Sequence, residues 1–296
     1  MTTTTEALTG PAPLVVPAVR AGRNRSWSGD ALTRGQGLVG LVLLVVVVLA
    51  GLLAPVLAAY PPELQLEQAN LLTPSLAHPL GTDQVNRDVL ARTLYGIRAD
   101  LVIVFVAVPV GALLGTAAAL LGTTSTAVDV GLQRLFDLLL AFPTLIFAIG
   151  LTAVAGPGML TVIAVIATVE TPIFARVLRS AILKVQALPY VDAARTIGAG
   201  RWWVLRRHVL PNATEPLGVQ LALSLSLAVF VESAMSFLGI GVRPPAPSLG
   251  GLISDGIDYA DSNAAFVLGP LAVVVVLVLA LQLLARALAG ARRVTR

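Results

Sequence analysis

The chain has 296 residues, of which 56% are hydrophobic and only 12% charged, with a formal net charge of +4. That is about half the charged fraction of a soluble domain, too little to coat a water-exposed globule, so the surplus apolar surface must face lipid. The basic residues are not clustered with aromatics, which argues against a nucleic-acid partner, and the lack of cysteine excludes disulfides, thiolate nucleophiles and cysteine metal sites.

Residues 1–37, rich in Thr, Pro, Gly and Arg, read as a cytoplasmic N-terminal tail. An uncharged apolar run of about 20 residues crosses a hydrocarbon core of about 30 Å, and residues 38–59 meet that test. The run is too long for a signal-peptide h-region and is predicted to stay as a membrane anchor. After a polar loop over 60–100, the runs 101–122, 138–155, 159–175, 216–242 and 264–285 bring the expected number of spans to six. Backbone hydrogen bonding leaves helices as the form such segments take, so the expected fold is all-α and polytopic. Gly111, Gly115 and Ala119 make a small-xxx-small seam for close helix approach.

Two of the runs carry an acid, Glu170 in 159–175 and Glu232 in 216–242. Facing lipid, each would cost on the order of 3 kcal/mol. Both are therefore expected to point into the bundle or to line a translocation path, and neither has an evident partner in the sequence. His78 and His208 lie far apart and read as polar loop residues rather than as metal ligands.

The charge map orients the spans. The tails and the loops 123–137 and 176–212 hold every Lys and Arg except Arg87, Arg92, Arg98 and Arg243. Those four lie in loops 60–100 and 243–263, beside Glu63, Glu67, Asp83, Asp88, Asp100, Asp255, Asp258 and Asp261. The positive-inside rule places both termini, including a short C-terminal tail over 289–296, and the 176–212 loop in the cytoplasm.

Within that loop, Val177, Leu178, Ala181, Ile182, Val185 and Leu188 recur at helical spacing. Asp192 favours a helix start, Gly198 and Gly200 break the helix, and Trp202, Val204, Leu205 and Val209 resume an apolar pattern among arginines. Two readings fit. The element is either an elbow lying in the headgroups with Trp202 and Trp203 as anchors, or a docking knob whose small residues Ala193, Ala194, Gly198 and Ala199 admit another protein.

DAARTIG with a distal LP (Asp192, Ala193, Ala194, Gly198, Leu210 and Pro211) resembles the EAA loop of ABC-importer permeases, with aspartate where glutamate is usual and His208 where isoleucine is. HPLGTDQVNRDVLARTLYG over 78–96, LLLAFPTLIFAI over 138–149 and ESAMSFLGIGVRPPAPSLGGLI over 232–253 extend the likeness to the C-type permease subunits of the dipeptide/oligopeptide/nickel importer family. Val85-Asn86 departs from that family's LG before RD.

The resemblance implies a type I ABC importer permease fold in a bacterial cell membrane, with a core over 101–288 and a coupling loop at about 187–212. It implies that Asp192, Ala193, Ala194, Gly198, Ala199, Arg201, Leu210 and Pro211 take part in ATPase coupling; Glu232 matches the family pattern near the outer end of its span, whereas Glu170 is a path candidate only as an acid within a span. It further implies a second permease, two ATPase domains, an extracytoplasmic binding protein, and peptides as substrate, with nickel, glutathione or another small solute as alternatives. The one lysine, Lys184, is not in a GxxxxGK[ST] loop, and no GxSxG or HExxH occurs. This chain is therefore expected to be no enzyme and to hold no cofactor, with ATP and Mg on the partner ATPases. A secondary transporter is the rival class, and it would need paired acids and two similar halves.

Overall fold

The computed structural model describes residues 35–293, and side chains as far as Gly290. The first expected span is a 17-residue helix, α1 (Gln36–Leu52), followed by the short α2 (Ala54–Leu57). Pro55 explains the break, because it has no N–H to donate and its ring crowds the carbonyl four residues back.

α3 (Val89–Gly122) is much longer than the apolar run 101–122. It starts where Asp88 Oδ1 accepts from Ala91 N at 2.7 Å, an N-cap on the first turn. The hydropathy run misses these first turns because Arg92, Arg98 and Asp100 interrupt it. Arg92 and Asp100 are nevertheless buried among other elements of the chain.

The fourth apolar run, 138–155, is not one helix. α4 (Thr126–Ala141) and α5 (Thr144–Ala155) meet at 90°. Phe142 precedes Pro143 and takes the extended conformation that a following proline imposes (φ −84°, ψ 129°).

α6 (Met159–Gln186) runs past 175 and carries the chain out into the 187–213 elbow. α10 (Glu215–Phe237) stops short of the expected 242, closed by Gly239 at φ +76°. The bonds Gly239 N to Ser236 O and Ile240 N to Met235 O satisfy its last carbonyls. α11 (Leu249–Ile257) is capped by Ser248, and α12 (Ala264–Arg293) ends the described chain.

Four helices, α3, α6, α10 and α12, are each long and apolar enough to cross a membrane, and the bent α4–α5 pair makes a fifth if taken as one span. The run at 38–59 gives only the shorter α1, so the described residues do not yield six full-length spans. α12 runs on to Arg293, so residues 289–293 of the expected tail are helical, and most of the 1–37 segment lies outside the described residues.

The main core joins Ile103, Val104, Ala107 and Val108 of α3 to Val162, Val165, Ile166 and Phe174 of α6, with Val229 and Met235 of α10 and Leu277 and Leu281 of α12. α3 and α6 lie side by side along the glycine seam: a methyl on Gly111 would stand 2.6 Å from Glu170 Cβ and 2.8 Å from Ala167 O. Gly115 likewise abuts Thr171 and Phe174, so the seam packs within this chain. Gly111→Val is accordingly expected to destabilise the chain by about 1–3 kcal/mol through overpacking. Thermal unfolding in detergent measures it, and a melting temperature equal to wild type would contradict the seam.

At the far end of the bundle from the elbow, segment 58–88 is irregular but tied down. Asp83 Oδ1 accepts from Val85 N (3.0 Å) and Arg87 N (2.8 Å), while Oδ2 accepts from Arg87 Nε at 2.7 Å. Asn86 takes φ +66°, which asparagine tolerates better than most residues, so the Val85-Asn86 departure makes a turn. His78 is more than a loop residue: it is buried, its Nδ1 lies 2.8 Å from Asp88 Oδ2, and its ring stacks on Tyr60. Asp88 thereby holds both the loop and the first turn of α3.

Candidate functional site: the elbow and the buried acids

The elbow is built from α7 (Pro189–Thr196), α8 (Arg201–Val204), a π turn (Leu205–Val209) and α9 (Leu210–Ala213). Pro189 starts α7 where a missing N–H costs nothing. Gly198, at φ +90°, ends it, with Ala199 N bonded to Ala194 O (3.1 Å) and Gly198 N to Arg195 O (3.0 Å). That is the Schellman arrangement, and it explains the glycine: an L side chain is strained at this φ by about 1–2 kcal/mol. Past the π turn, Pro211 has no N–H to give, and Asn212 Nδ2 donates to His208 O at 2.7 Å.

The elbow's apolar face is turned to protein. Val191, Ala194, Val204, Leu205 and Val209 are buried against Ala119 of α3 and Leu178 and Ile182 of α6. The surface turned away from the bundle carries Tyr190, Ile197, Trp202 and Trp203, with Ile197 86% exposed. Trp203 packs edge-on against His208, ring centroids 4.9 Å apart.

The structure therefore splits the eight residues expected to act together. Asp192, Ala193, Gly198 and Pro211 are exposed, and Ala194 is buried. Ala199 and Leu210 are half-buried against the elbow's core. Arg201 turns inward: its guanidinium donates to the carbonyls of Thr123 and Thr124, where α3 ends. A cation there satisfies orphan carbonyls and meets the negative end of the helix dipole. Arg195 lies 3.5 Å from Asp192, an exposed pair of little energetic weight.

Sequence reasoning did not find the struts behind the elbow. Arg179 of α6 grips Asp129 of α4 with two bonds of 2.6 and 2.7 Å, and Arg176 reaches Asp137 at 2.7 Å. Together with Arg201 they tie α3, α4, α6 and α8 at one end of the bundle. The only signal in the sequence was that the inside loop 123–137 holds two acids, Asp129 and Asp137, and a single Arg.

The buried acids do have partners, contrary to expectation. Glu170 Oε2 accepts from Ser224 Oγ of α10 at 2.5 Å, and Gln220 Nε2 donates to Ser224 at 3.1 Å. Glu232, fully buried, accepts from Ser236 Oγ at 2.7 Å and lies close to the Asp100 carboxyl. Asp100 Oδ2 also accepts from Leu249 N at 3.2 Å, at the first turn of α11. Three elements, α3, α10 and α11, thus meet on one carboxyl pair. Asp100 was missed because it lies outside the apolar run and reads as a loop charge.

The family described as the binding-protein-dependent transport system inner membrane component matches residues 107–294. A peptide transport system permease protein of Brucella abortus is 36% identical, over 85% of this chain and 81% of its own length. A D,D-dipeptide transport system permease protein of Escherichia coli is 35% identical, over 74% of each chain. Among solved structures, the MetNI methionine ABC transporter in inward-facing conformations superposes with TM-score 0.56 at 22% identity, over 69% of this chain and 97% of that one. That likeness bears on the fold alone and agrees with the type I permease architecture. On the family match and these relatives, the chain belongs to the inner membrane components of binding-protein-dependent transport systems.

Proposed function

We propose that this chain is the permease subunit of an ATP-driven importer, forms half of the translocation path for di- and oligopeptides, and lies in the cell membrane with both termini in the cytoplasm. The observation that carries the coupling role is the elbow: a short helix closed by Gly198, seated on the ends of α3 and α6, with the small exposed residues Ala193 and Gly198 outward. A separate ATPase chain supplies the ATP and Mg chemistry, and a second permease, a second ATPase domain and an extracytoplasmic binding protein complete the assembly. The exposed acids of segments 60–88 and 243–263, Glu63, Glu67, Asp255, Asp258 and Asp261, are where the binding protein docks. A glutathione transport system permease protein of Pectobacterium atrosepticum is 36% identical over 62% of this chain, so glutathione or another small solute is the alternative cargo.

In this mechanism the ATPase presses on residues 192–201. A push on α7 cannot be absorbed locally, because its inner face is packed and Gly198 is locked by two backbone bonds. It passes through Arg201 to the end of α3 and through the Arg179–Asp129 strut to α4, so the helices rock together. Glu170 and Glu232 act on the path indirectly, by fixing the helices whose other faces line it.

Arg201→Ala is expected to lower uptake roughly two- to five-fold, given about 0.5–1 kcal/mol for an exposed cation at a helix end. Arg201→Lys should recover part of it, as read in vesicle uptake at matched expression.

The Asp100–Glu232 pair supplies one feature of a proton-driven secondary transporter, so the energy source is tested directly. Tagged chain is expected to co-purify an ATPase subunit, and uptake to vanish when that ATPase is inactivated. Uptake that survives ATPase inactivation but is abolished by a protonophore would overturn the importer reading.

A further inference from the structure

Between Leu217 and Phe237, α10 carries the polar side chains of Gln220, Ser224, Ser226, Glu232, Ser233 and Ser236, and all but Gln220 are buried. Gln220 is half-exposed, at the edge of the face where Leu223, Leu227 and Phe230 are turned out from the bundle. It stands about 8 Å along the helix from Glu215, and the apolar face continues for about 15 Å beyond it. Gln220 is thus the one polar group that this stretch of α10 offers on its outward side. Against hydrocarbon such an amide would lack hydrogen-bond partners, whereas beside a water-filled path it would not.

The amide is not free to turn. Ser224 Oγ donates to Glu170 Oε2 at 2.5 Å, and Gln220 Nε2 lies 3.1 Å from the same hydroxyl oxygen. A hydroxyl has a single proton, so toward Gln220 the serine can only accept. Only the NH2 end of the amide fits there. Gln220 Oε1 is left on the other side, without a hydrogen bond among the described residues. Through Ser224, the acid buried in α6 therefore sets which end of the Gln220 amide is presented outward, and that end is an acceptor.

We propose that Gln220 contacts the substrate, its Oε1 accepting a hydrogen bond from the backbone N–H of a peptide moving along α10, with Ser224 and Glu170 as its positioning residues. The inference rests on the reading above that the outward face of α10 lines the path and that peptides are carried. A peptide bond offers the same donor whatever side chains flank it. One oriented acceptor in an apolar wall binds that constant part, while Leu223, Leu227 and Phe230 make no polar demand on the variable part. Holding the amide in place beforehand also reduces the ordering cost of each contact.

The test uses the assembled complex in proteoliposomes with saturating, loaded binding protein, and compares alanyl-alanine with its analogue methylated at the peptide nitrogen. Wild type is expected to carry the parent about five-fold faster than the analogue, the weight of one hydrogen bond. Gln220→Leu, similar in size and apolar like its neighbours, should slow the parent by about that factor and bring the ratio close to one. Ser224→Ala keeps Gln220 but releases its amide, so the ratio should fall part-way; a merely structural role for Ser224 would slow both peptides alike. The chain has no cysteine, so Gln220→Cys introduces a unique thiol whose labelling is read on this subunit by mass. It should react with a water-soluble maleimide in the assembled complex and be protected by loaded binding protein. A wild-type ratio close to one, or a ratio unchanged in Gln220→Leu, would overturn the inference. So would an unreactive thiol in Gln220→Cys, which would set position 220 against lipid or the second permease. Uptake that stays ATP-dependent through these failures leaves the importer reading standing, whereas ATP-independent uptake by wild type removes that reading itself.

Discussion

Placing a glutamate at Ala193 is expected to abolish uptake while leaving the chain folded in the membrane. Ala193 lies on the outward face of α7 and is exposed, so the new side chain meets no neighbour within this subunit. Against a docked ATPase it would bury a charge without a partner, which costs several kcal/mol. A loss of about 3 kcal/mol alone weakens the contact by roughly 100-fold. Expression and melting temperature should match wild type, whereas ATPase co-purification and uptake should both fail. The neighbouring Ala194→Glu is the contrast: Ala194 is buried on the elbow's own core, so that variant should fail by misfolding. Full uptake in Ala193→Glu would remove the coupling reading of the elbow.

Glu232→Ala is the second change with a large expected effect. It deletes the group facing the Asp100 carboxyl and frees Ser236 Oγ. A buried polar group left without its partner costs about 1–3 kcal/mol, in addition to the cavity the lost atoms leave. The expected result is a clear fall in melting temperature and in uptake. Glu232→Gln keeps the shape and can still hydrogen-bond to both neighbours, so it should restore most of the stability. If alanine and glutamine at 232 behave alike, the contact with Asp100 is not what holds α3, α10 and α11 together.

The elbow shows how far the sequence could be read. The helix, the glycine break and the second amphipathic segment were all legible, because Gly198 and the apolar spacing act locally. Two outcomes stayed open, a lipid-facing elbow and a protein-facing knob, because periodicity defines a face without saying what it meets. Packing on Ala119, Leu178 and Ile182 shows what the apolar face meets, while Trp202 and Trp203 stay exposed on the other side. The small-residue seam was legible in the same way: the spacing of Gly111, Gly115 and Ala119 announced a close approach, and α6 turned out to be what approaches.

Hydropathy was a weaker guide wherever charge and apolar surface share a helix. The first three turns of α3 were read as loop because Arg92, Arg98 and Asp100 lower the local hydropathy. A folded chain can bury such groups by giving them partners, here Pro62 O for Arg92 and Leu249 N for Asp100. The run 138–155 failed for the opposite reason: its composition is uniformly apolar, but Pro143 dictates the conformation of Phe142 and turns the chain by 90°. That proline was visible, yet prolines at 109 and 172 sit inside continuous helices. Composition alone therefore could not say which proline breaks the helix.

By itself the sequence determined that this chain lives in a bilayer, that it is helical, and that its basic residues concentrate in the tails and the 176–212 segment. Those properties follow from solvation and backbone hydrogen bonding, which each segment must satisfy on its own. Only the tertiary structure decided that Glu232 meets Asp100, that Arg201 turns back to cap α3, and that the elbow stands on the ends of the helices it would move. Each of these joins residues far apart in the chain, and a contact of that kind exists only once the helices between them have taken their places.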